Sequence, residues 1–322
     1  MNRRPLGSTG IEVSALGYGA WGIGRHMWLG ASDDESLRAL SRAFELGVDF
    51  VDTALAYGDG HSETLVGAGI RSAGGGIRVA TKIPPRNGQW PALAGSDPDD
   101  SYPADWVVEC TERSLRHLGL DAIDVQQFHV WSDDWVGRGS WLEGVERLKA
   151  DGKIRHFGVS INDHESDNAL RLIESGAVES VQVIYNVFEQ RPVDRLFEAT
   201  RAAGVGVIVR VPFDEGGLTG RIRPGVEFPE GDWRNDYFGG ERPREVWERV
   251  TAIAEALDVP VESLPEVALR FCLSHPAVST VIAGMRTLAH AEANVAAAEL
   301  GPLPAEQLET LARFRWERNF YR

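Results

Sequence analysis

Short runs of β-branched and other apolar residues alternate with longer amphipathic segments along nearly the whole chain, and this alternation limits the possible folds more than any other feature. Each run is nearly continuous in apolar residues, which is typical of parallel strands that are buried on both faces. Eight strands are predicted in this way, near residues 15–19, 49–53, 77–82, 123–128, 154–160, 181–185, 205–211 and 278–282. Eight strand–helix units joined mostly by short turns favour an α/β fold of the closed (β/α)8 type, a TIM barrel, over an open doubly wound sheet.

The segments around these eight units predict one domain that spans residues 1–322. A turn at Ser8-Thr9-Gly10 predicts an N-terminal β-hairpin, and Asp33-Asp34-Glu35 predicts a helix start, because acidic residues are favourable at helix N-termini. Long loops are expected at 84–103 and 212–243, on the catalytic face. The length is compatible with two domains, but barrels of this size are common as one unit, and no linker-like segment is present.

The chain carries 33 basic and 48 acidic residues, a formal net charge of −15, without any basic block. We therefore expect neither nucleic acid nor an anionic membrane as a partner, since both attract clustered lysine and arginine. No apolar stretch reaches 18 residues and the first residues lack the apolar run of a signal peptide, so we expect a cytoplasmic protein. We expect it to be a monomer or a homo-oligomer. Cys110 and Cys272 lie in apolar helical patterns and are interpreted as buried packing thiols rather than a redox pair or a metal site.

The segment Gly17-Tyr18-Gly19-Ala20-Trp21-Gly22 matches the G-x-G-x-x-G motif and follows a predicted strand, as in Rossmann domains. That motif requires a helix to begin at its last glycine, where the helix N-terminus holds a pyrophosphate. Residues 23–30 show no helical period and contain two further glycines. We therefore interpret the segment as a loop at the mouth of the barrel, with Trp21 available to line a pocket.

Polar residues follow successive predicted strands, at the end where a barrel carries its active site. Asp52 and Tyr57 follow the second strand, Lys82 ends the third and His129 follows the fourth. Together they can protonate an oxygen, because an ammonium such as Lys82 stabilises the phenolate that Tyr57 would form. Asp52 would hold Lys82 in place, and His129 would orient a substrate carbonyl. The set resembles neither a metal site nor an activated nucleophile, and hydride is the natural species to attack the carbon.

Each of these residues also has an interpretation without chemistry. Asp52 and Lys82 can be a buried ion pair that only fixes the strand register. Tyr57 alone can be a packing aromatic residue, and His129 alone a rim histidine with satisfied hydrogen bonds. Their occurrence together at one end of adjacent strands favours an acid–base group.

These residues resemble the aldo-keto reductase family, and the resemblance runs over almost the whole chain. Residues 52–63 resemble the segment with the catalytic aspartate and tyrosine of that family, and Thr81-Lys82 and Phe128-His129 resemble its lysine and histidine segments. Residues 114–121 and 152–160 match further stretches of the family pattern. The resemblance implies a (β/α)8 oxidoreductase that binds NADPH, with NADH as the alternative, extended across the barrel mouth without a Rossmann domain.

The resemblance also implies which residues bind the cofactor. Ser160 and Gln182 would hydrogen-bond the nicotinamide carboxamide, although Gln182 can also be a polar residue of the barrel interior. Gly284, Arg286 and Asn294 resemble the segment that grips the adenosine end. Arg286 is the candidate for the 2′-phosphate, since its guanidinium can hold a phosphate with two hydrogen bonds. The alternative for Arg286 is a solvated surface residue.

Three positions depart from the family pattern. Ile161 replaces an asparagine that often follows the serine, and Asn162 is expected to substitute for it at the cofactor. His290 stands where many relatives carry glutamine or arginine. Arg210 occupies the position where well-studied family members have a tyrosine that stacks on the nicotinamide. A guanidinium can also stack on that ring, and we hypothesise that Arg210 disfavours the cationic oxidised form and so favours reduction. Pro212, two residues further on, is another candidate for binding the cofactor.

The substrate pocket is expected between the long loops and the C-terminal tail, which are rich in aromatic residues beside acidic ones. Trp21, Trp90 and Trp131 are the candidate pocket residues. Aromatic rings next to carboxylates favour a ring-shaped polyhydroxylated substrate, such as a sugar or keto-sugar. In the alternative interpretation, the aromatic residues only anchor the loops to the barrel rim, and the substrates are broader aldehydes and ketones.

The sequence therefore predicts NAD(P)H-dependent reduction of an aldehyde or ketone to the alcohol. The same residues serve the reverse reaction, so an NAD(P)+-dependent alcohol or aldose dehydrogenase is an alternative. A third interpretation is a subunit that binds NADPH and signals without turnover. The intact acid–base group argues against this last interpretation, because a binding subunit needs no acid.

Overall fold

The computed structural model describes residues 1–25, 29–30 and 32–321. The strands of this part of the chain are β1 (Arg3–Pro5), β2 (Glu12–Ser14), β3 (Leu16–Gly19), β4 (Phe50–Asp52), β5 (Arg78–Ile83), β6 (Ile123–Phe128), β7 (Ile154–Ser160), β8 (Ser180–Ile184), β9 (Gly206–Arg210) and β10 (Thr280–Gly284). Strands β3 to β10 are parallel and follow one another around a closed barrel, in which β10 pairs with β3. The (β/α)8 barrel predicted from the alternating pattern is confirmed.

The predicted N-terminal hairpin is also confirmed, and it closes one end of the barrel. Strands β1 and β2 pair antiparallel, with Arg3 opposite Ser14. Leu6, in the connecting turn, and Val13 are fully buried in one cluster with residues from the interior of the barrel, among them Phe50. Because this end is sealed by apolar side chains, a polar ligand site belongs at the opposite end, where the parallel strands finish.

Helices surround the barrel and connect its strands. In the described chain they are α1 (Asp33–Glu45), α2 (His61–Ala73), α3 (Pro98–Ser101), α4 (Ala104–Leu118), α5 (Trp141–Ala150), α6 (Leu170–Ser175), α7 (Leu196–Ala203), α8 (Arg234–Tyr237), α9 (Arg242–Leu257), α10 (Leu264–Ser274), α11 (Leu288–Glu299) and α12 (Ala305–Ala312). Helix α1 begins at the predicted acidic run, where the Ser32 hydroxyl accepts a hydrogen bond from the Glu35 amide at 3.3 Å. This capping bond satisfies one of the free amides at the helix start.

The G-x-G-x-x-G segment does not open a Rossmann helix. Strand β3 is followed by a single 3-10 turn at Trp21–Ile23, as expected for a loop at the barrel mouth. The last part of that loop, His26 to Trp28, lies outside the described residues.

Two predicted segments differ in detail from the structure. The alternation of strands and helices also predicts a helix over 193–203, and the structure divides this region into a 3-10 turn at Arg191–Val193, which contains Pro192, and α7, because Arg195, before α7, is not helical. The loop at 212–243 contains a 3-10 segment, Asp214–Thr219, and the short helix α8. Both are local turns that hydrophobic periodicity does not signal.

The two cysteines are buried and unpaired, as predicted, in α4 and α10. The Cys272 thiol donates to the Tyr185 carbonyl at 3.2 Å. Within the described residues, no helix is both long and apolar enough to cross a membrane.

Candidate active site

Asp52, Tyr57, Lys82 and His129 come together at the C-terminal end of the barrel strands. Asp52 ends β4, Lys82 is the penultimate residue of β5, and His129 directly follows β6. These three strands are neighbours in the barrel, so their ends lie side by side. Tyr57 lies in the loop between β4 and α2, where Gly58 takes a left-handed conformation (φ +69°) that favours glycine.

The ammonium of Lys82 is buried and uses all of its donors. Its Nζ donates to Asp52 Oδ1 at 2.5 Å, to the Thr53 carbonyl at 2.8 Å and to the Tyr57 hydroxyl at 3.3 Å. Burial disfavours the charge of Lys82, but the neighbouring Asp52 carboxylate outweighs it and holds the pKa of Lys82 above its usual value. The side chain is therefore a fixed cation beside the phenol.

Burial raises the pKa of Tyr57 above its ordinary value, and the charge of Lys82 acts in the opposite direction. The phenol is consequently protonated at neutral pH and available as a proton donor. Because the Lys82 ammonium lies within hydrogen-bond distance, it would stabilise the phenolate when the proton leaves.

His129 is held in its neutral form. Burial lowers the pKa of His129 well below its usual value, and the charges of Lys82 and Arg210 lower it further. Its Nδ1 atom is buried without a hydrogen-bond partner among the described residues. A bare nitrogen lone pair is better tolerated there than an N–H group, which favours the tautomer with the proton on Nε2. That Nε2–H can donate to a substrate oxygen beside Tyr57, whose ring centroid lies 5.5 Å from that of His129.

The second carboxylate oxygen of Asp52 is held by two glutamines in the barrel interior. Gln127 Nε2 donates to Asp52 Oδ2 at 3.1 Å, and Gln182 Nε2 donates to the same oxygen at 2.8 Å. Sequence reasoning did not single out Gln127. Its signal was an amide side chain in an apolar strand, at the position of β6 that pairs with Lys82 of β5.

The orientation of the Gln182 amide follows from its neighbours. Its Nε2 faces two acceptors, Asp52 Oδ2 and Gln127 Oε1, so its Oε1 faces away from them. Ser160 is the register partner of Gln182 on the adjacent strand. Among the described residues, neither the Ser160 hydroxyl nor Gln182 Oε1 has a hydrogen-bond partner. One donor and one acceptor side by side fit a carboxamide such as that of nicotinamide.

Arg210 is tied to the loop after β7. Its Nη2 donates to the Ile161 carbonyl at 3.0 Å and to Asp163 Oδ1 at 2.6 Å. The Asp163 carboxylate offsets part of the charge of Arg210, so any bias toward the reduced cofactor must be smaller than an isolated cation would give. Pro212 is buried after Val211, a residue with a left-handed conformation (φ +58°).

In the structure the amide of Asn162, a candidate cofactor contact, is engaged with other residues of the chain. Asn162 Nδ2 donates to the Ala92 carbonyl at 3.0 Å and to Glu165 Oε2 at 3.0 Å, and its Oδ1 accepts from the Ala92 amide at 3.3 Å. Both amide N–H groups are therefore used within the protein, and Oδ1 accepts one hydrogen bond. Asn162 therefore fixes the loop after β5 at Ala92, which lies two residues beyond Trp90.

The candidate residues for the adenosine end lie together after β10. Asn294 Nδ2 donates to the Gly284 carbonyl at 3.3 Å, and Arg286 Nη1 donates to the Leu29 carbonyl at 3.0 Å. A Cβ atom placed on Gly22 would lie 2.6 Å from Arg286 Cδ, so the arginine packs closely on the loop after β3. Arg286 is half-buried.

Aromatic rings form the walls beside Tyr57 and His129. The ring centroid of Trp21 lies 6.4 Å from that of Tyr57, and the ring centroid of Trp90 lies 4.7 Å from that of His129. Trp233, in the long loop after β9, lies 5.3 Å from Trp21. Trp21 is therefore close to the Tyr57 ring and Trp90 to the His129 ring.

The prediction that Trp131 lines the pocket is wrong. Its side chain is fully buried and packs edge-on against Trp135 and Trp141, beneath the rim of the barrel. Its indole N–H donates to Asp133 Oδ1 at 3.1 Å. The sequence does not indicate whether an aromatic residue in a loop after a strand faces the barrel mouth or the surrounding helices.

The C-terminal tail closes on the loop after β9. The Tyr321 hydroxyl donates to Glu215 Oε1 at 2.5 Å, and the Tyr321 ring stacks on Trp233 at 5.8 Å. Arg318 pairs with Asp214, both of them buried. Burial raises the pKa of Glu215 to about 8, so this carboxyl is largely protonated at neutral pH.

The fold and the site together define a (β/α)8 barrel with a buried lysine and aspartate, and a partly buried tyrosine and histidine, at the C-terminal end of its strands. The model of the aldo/keto reductase family matches residues 15–315 of the chain. The chain belongs to this family, and the resemblance recognised in the sequence is confirmed.

Three comparisons with known proteins are informative. The chain is 29% identical to D-threo-aldose 1-dehydrogenase of Pseudomonas sp, over 86% of this chain and 87% of that protein. It is 26% identical to the NADH-specific methylglyoxal reductase of Escherichia coli, over 92% and 93% of the two chains. The holo form of the aldo-keto reductase AKR11C1 from Bacillus halodurans is similar in structure, with a TM-score of 0.75, 28% identity and coverage of 98% and 96%.

Proposed function

We propose that this protein reduces an aldehyde or ketone to the alcohol with NADPH, and that Tyr57 donates the proton. The observation that carries the proposal is the position of the Lys82 ammonium, 3.3 Å from the Tyr57 hydroxyl and paired with Asp52. A phenol is a weak acid near neutral pH, and a fixed cation at this distance makes loss of its proton more favourable.

A nicotinamide bound at this end of the barrel supplies the hydride for the carbonyl carbon. His129 donates from Nε2 to the carbonyl oxygen and aligns it beside Tyr57. As negative charge develops on that oxygen, Tyr57 transfers its proton, and Lys82 stabilises the phenolate that remains. Asp52 keeps Lys82 in place and charged.

Ser160 and Gln182 are our candidates to hold the nicotinamide carboxamide, since they present a free donor and a free acceptor on adjacent strands. We assign the other end of the cofactor to Gly284, Arg286 and Asn294, with Arg286 facing the 2′-phosphate of NADPH. Arginine suits a phosphate, but one relative is named as NADH-specific, so the test compares both cofactors.

For the substrate we propose a sugar or keto-sugar carbonyl. Trp21, Trp90 and Trp233 provide aromatic walls near the reactive groups, and flat rings pack well against the apolar face of a sugar. The name of the aldose dehydrogenase relative supports the same substrate class.

That relative also supports a second candidate, the oxidation of an aldose or alcohol. The same four side chains serve both directions, because a phenolate stabilised by Lys82 can take up the proton of an alcohol. Turnover measured in both directions distinguishes the two.

The deciding experiment follows the absorbance of the reduced nicotinamide with purified protein, using NADPH and NADH side by side and a panel of aldoses, keto-sugars, simple aldehydes and ketones. We expect turnover with several carbonyls and the lower KM with NADPH. Tight cofactor binding without turnover of any carbonyl or alcohol would instead indicate a binding subunit.

A further inference from the structure

We propose that Gln127 is a positioning residue of the reaction, which orients Asp52 of the proton-donating group and Gln182 of the carboxamide site at the same time. The inference rests on the proposed function and adds a residue to it. Nothing in the sequence motifs pointed to Gln127.

Both ends of the Gln127 amide are engaged in the barrel interior, where the side chain has no exposed surface. Its Nε2 donates to Asp52 Oδ2 at 3.1 Å, and its Oε1 accepts from Gln182 Nε2 at 3.2 Å. The strand beside it leaves room for this side chain, because a Cβ atom on Gly158 would lie 3.3 Å from Gln127 Cγ.

The first consequence concerns the charge that Tyr57 experiences. Asp52 faces Lys82 with Oδ1 alone, while two amide N–H groups hold Oδ2. Hydrogen bonds to a buried carboxylate stabilise its ionised form and offset part of its negative charge. The Lys82 ammonium is then less neutralised by Asp52 and acts more strongly on the phenol.

The second consequence concerns the cofactor side. Gln182 can place its Oε1 toward the barrel mouth only if its Nε2 has acceptors behind it, and Gln127 Oε1 is one of the two. Without that acceptor the amide of Gln182 is less firmly held in the orientation that suits a carboxamide.

Gln126 provides a matched control on the same strand. It is also buried, but its Nε2 donates to the Thr81 carbonyl at 3.4 Å, and it makes no hydrogen bond to Asp52 or Gln182. If the buried glutamines of β6 had only a structural role, substitutions at positions 126 and 127 would have similar effects on turnover and cofactor affinity.

The test compares Gln127→Glu and Gln127→Leu with Gln126→Leu. Three quantities are measured: the pH profile of carbonyl reduction, the affinity for NADPH from fluorescence quenching, and the ionisation of Tyr57. The last is the difference between ultraviolet tyrosinate titrations of proteins with and without Tyr57→Phe, and it needs no turnover. Melting temperatures verify that each variant is folded.

In Gln127→Glu, a new carboxylate beside Asp52 makes the phenolate less favourable. We expect the ionisation of Tyr57 and the alkaline limb of the reduction profile to move up by about half a pH unit or more. Even where the introduced carboxyl is protonated at neutral pH, it loses its proton before the phenol does, so the shift remains.

In Gln127→Leu, we expect turnover to fall about tenfold, as for the loss of a hydrogen bond to a charged group, and NADPH affinity to fall about fivefold. Gln126→Leu should leave both unchanged. If Gln127→Leu does not fold, the isosteric Gln127→Glu variant decides alone.

An unshifted Tyr57 ionisation in Gln127→Glu would overturn the inference, as would equal effects of the leucine variants at 126 and 127. Neither result would affect the proposed function, which depends on turnover by the wild type. Conversely, a wild type without turnover would reject the proposed function, while the tyrosinate titration would still test the role of Gln127.

Discussion

At the scale of single residues, the centre of the candidate site is a buried ion pair. Lys82 and Asp52 are both almost without exposed surface, at 1% and 2%. A buried charge is tolerated only when it is paired and hydrogen-bonded, and here each partner has two further contacts besides the other. These contacts hold the ammonium beside the phenol without help from a ligand.

The first prediction concerns the proton donor. Tyr57→Phe removes the phenol and leaves the ring, so we expect turnover to fall by about a hundredfold or more, as for the loss of a general acid. Cofactor affinity should barely change. Steady-state kinetics and NADPH titration measure the two quantities, and Tyr185→Phe, a buried tyrosine behind the barrel wall, is the control. Near-normal turnover of Tyr57→Phe would exclude Tyr57 as the acid.

The second prediction concerns the ion pair. Lys82→Met leaves the Asp52 carboxylate buried and unpaired, which should lower the free energy of unfolding by about 3–5 kcal/mol. The double variant Lys82→Met/Asp52→Asn removes both charges and should recover much of that loss, although it remains inactive. Denaturant unfolding of the three proteins measures this, and equal stability of the single and double variants would mean that Asp52 is not a buried charge.

At the scale of secondary structure elements, the barrel strands position Asp52, Lys82 and His129, and the loops place aromatic rings beside Tyr57 and His129. Asn162, after β7, forms hydrogen bonds with the backbone amide and carbonyl of Ala92. These bonds hold the loop that carries Trp90. The tail beyond α12 is held through Glu215 and Tyr321 to the loop after β9. The positions of these loops therefore depend on contacts between segments that are distant in sequence.

The third prediction is the pH dependence of the tail contact. Glu215 has an ordinary pKa of 4.5 and a folded-state pKa of about 8, raised mainly by burial. Between these values the folded protein keeps a proton that the unfolded chain has lost, so Glu215 makes the protein less stable as pH rises from about 4.5 to about 8. The Glu215→Gln side chain keeps an acceptor for the Tyr321 hydroxyl and cannot ionise. The variant should therefore not show the part of the stability loss with rising pH that Glu215 causes.

Urea unfolding at pH 5 and pH 8 tests the prediction. The difference in stability between the two pH values should be smaller in Glu215→Gln than in the wild type. Glu230→Gln, an exposed acid of the same long loop, should behave like the wild type. An unchanged difference in Glu215→Gln would mean that Glu215 is ionised in the folded protein.

At the scale of the whole molecule, the two ends of the barrel have different tasks. The hairpin seals one end with Leu6 and Val13, both fully buried. The other end carries Asp52, Gln127 and Gln182 inside the barrel and the reactive groups above them. Apolar packing at one end thus supports a polar interior at the other.

The fourth prediction tests this division. Leu6→Ala opens a cavity in the sealed end and should lower the free energy of unfolding by about 2–5 kcal/mol. Its turnover at low temperature should stay close to that of the wild type, because the cavity lies away from the site. Leu142→Ala, at an exposed position of α5, should change stability by no more than about 0.5 kcal/mol. A Leu6→Ala protein as stable as the wild type would show that the hairpin does not seal the barrel.

Some site residues could be predicted from the sequence and others could not. Asp52, Lys82 and His129 were recognisable because a charged or polar residue at the end of an apolar strand is costly unless it has a partner. Trp131 was assigned wrongly, because the side of a loop that a residue faces depends on what packs against it. Gln127 was missed, since two adjacent amides in a strand, Gln126 and Gln127, have no distinctive spacing.

The sequence by itself determined the barrel and the end of it that carries polar chemistry, because strand periodicity is local and parallel strands align their ends. Only the tertiary structure decided how those polar groups are connected. It turned the Gln182 amide toward Asp52, engaged Asn162 with Ala92, and placed Tyr321 against Glu215. Such contacts join residues that are far apart in the chain, and their geometry is set by the packing of the folded protein rather than by local sequence.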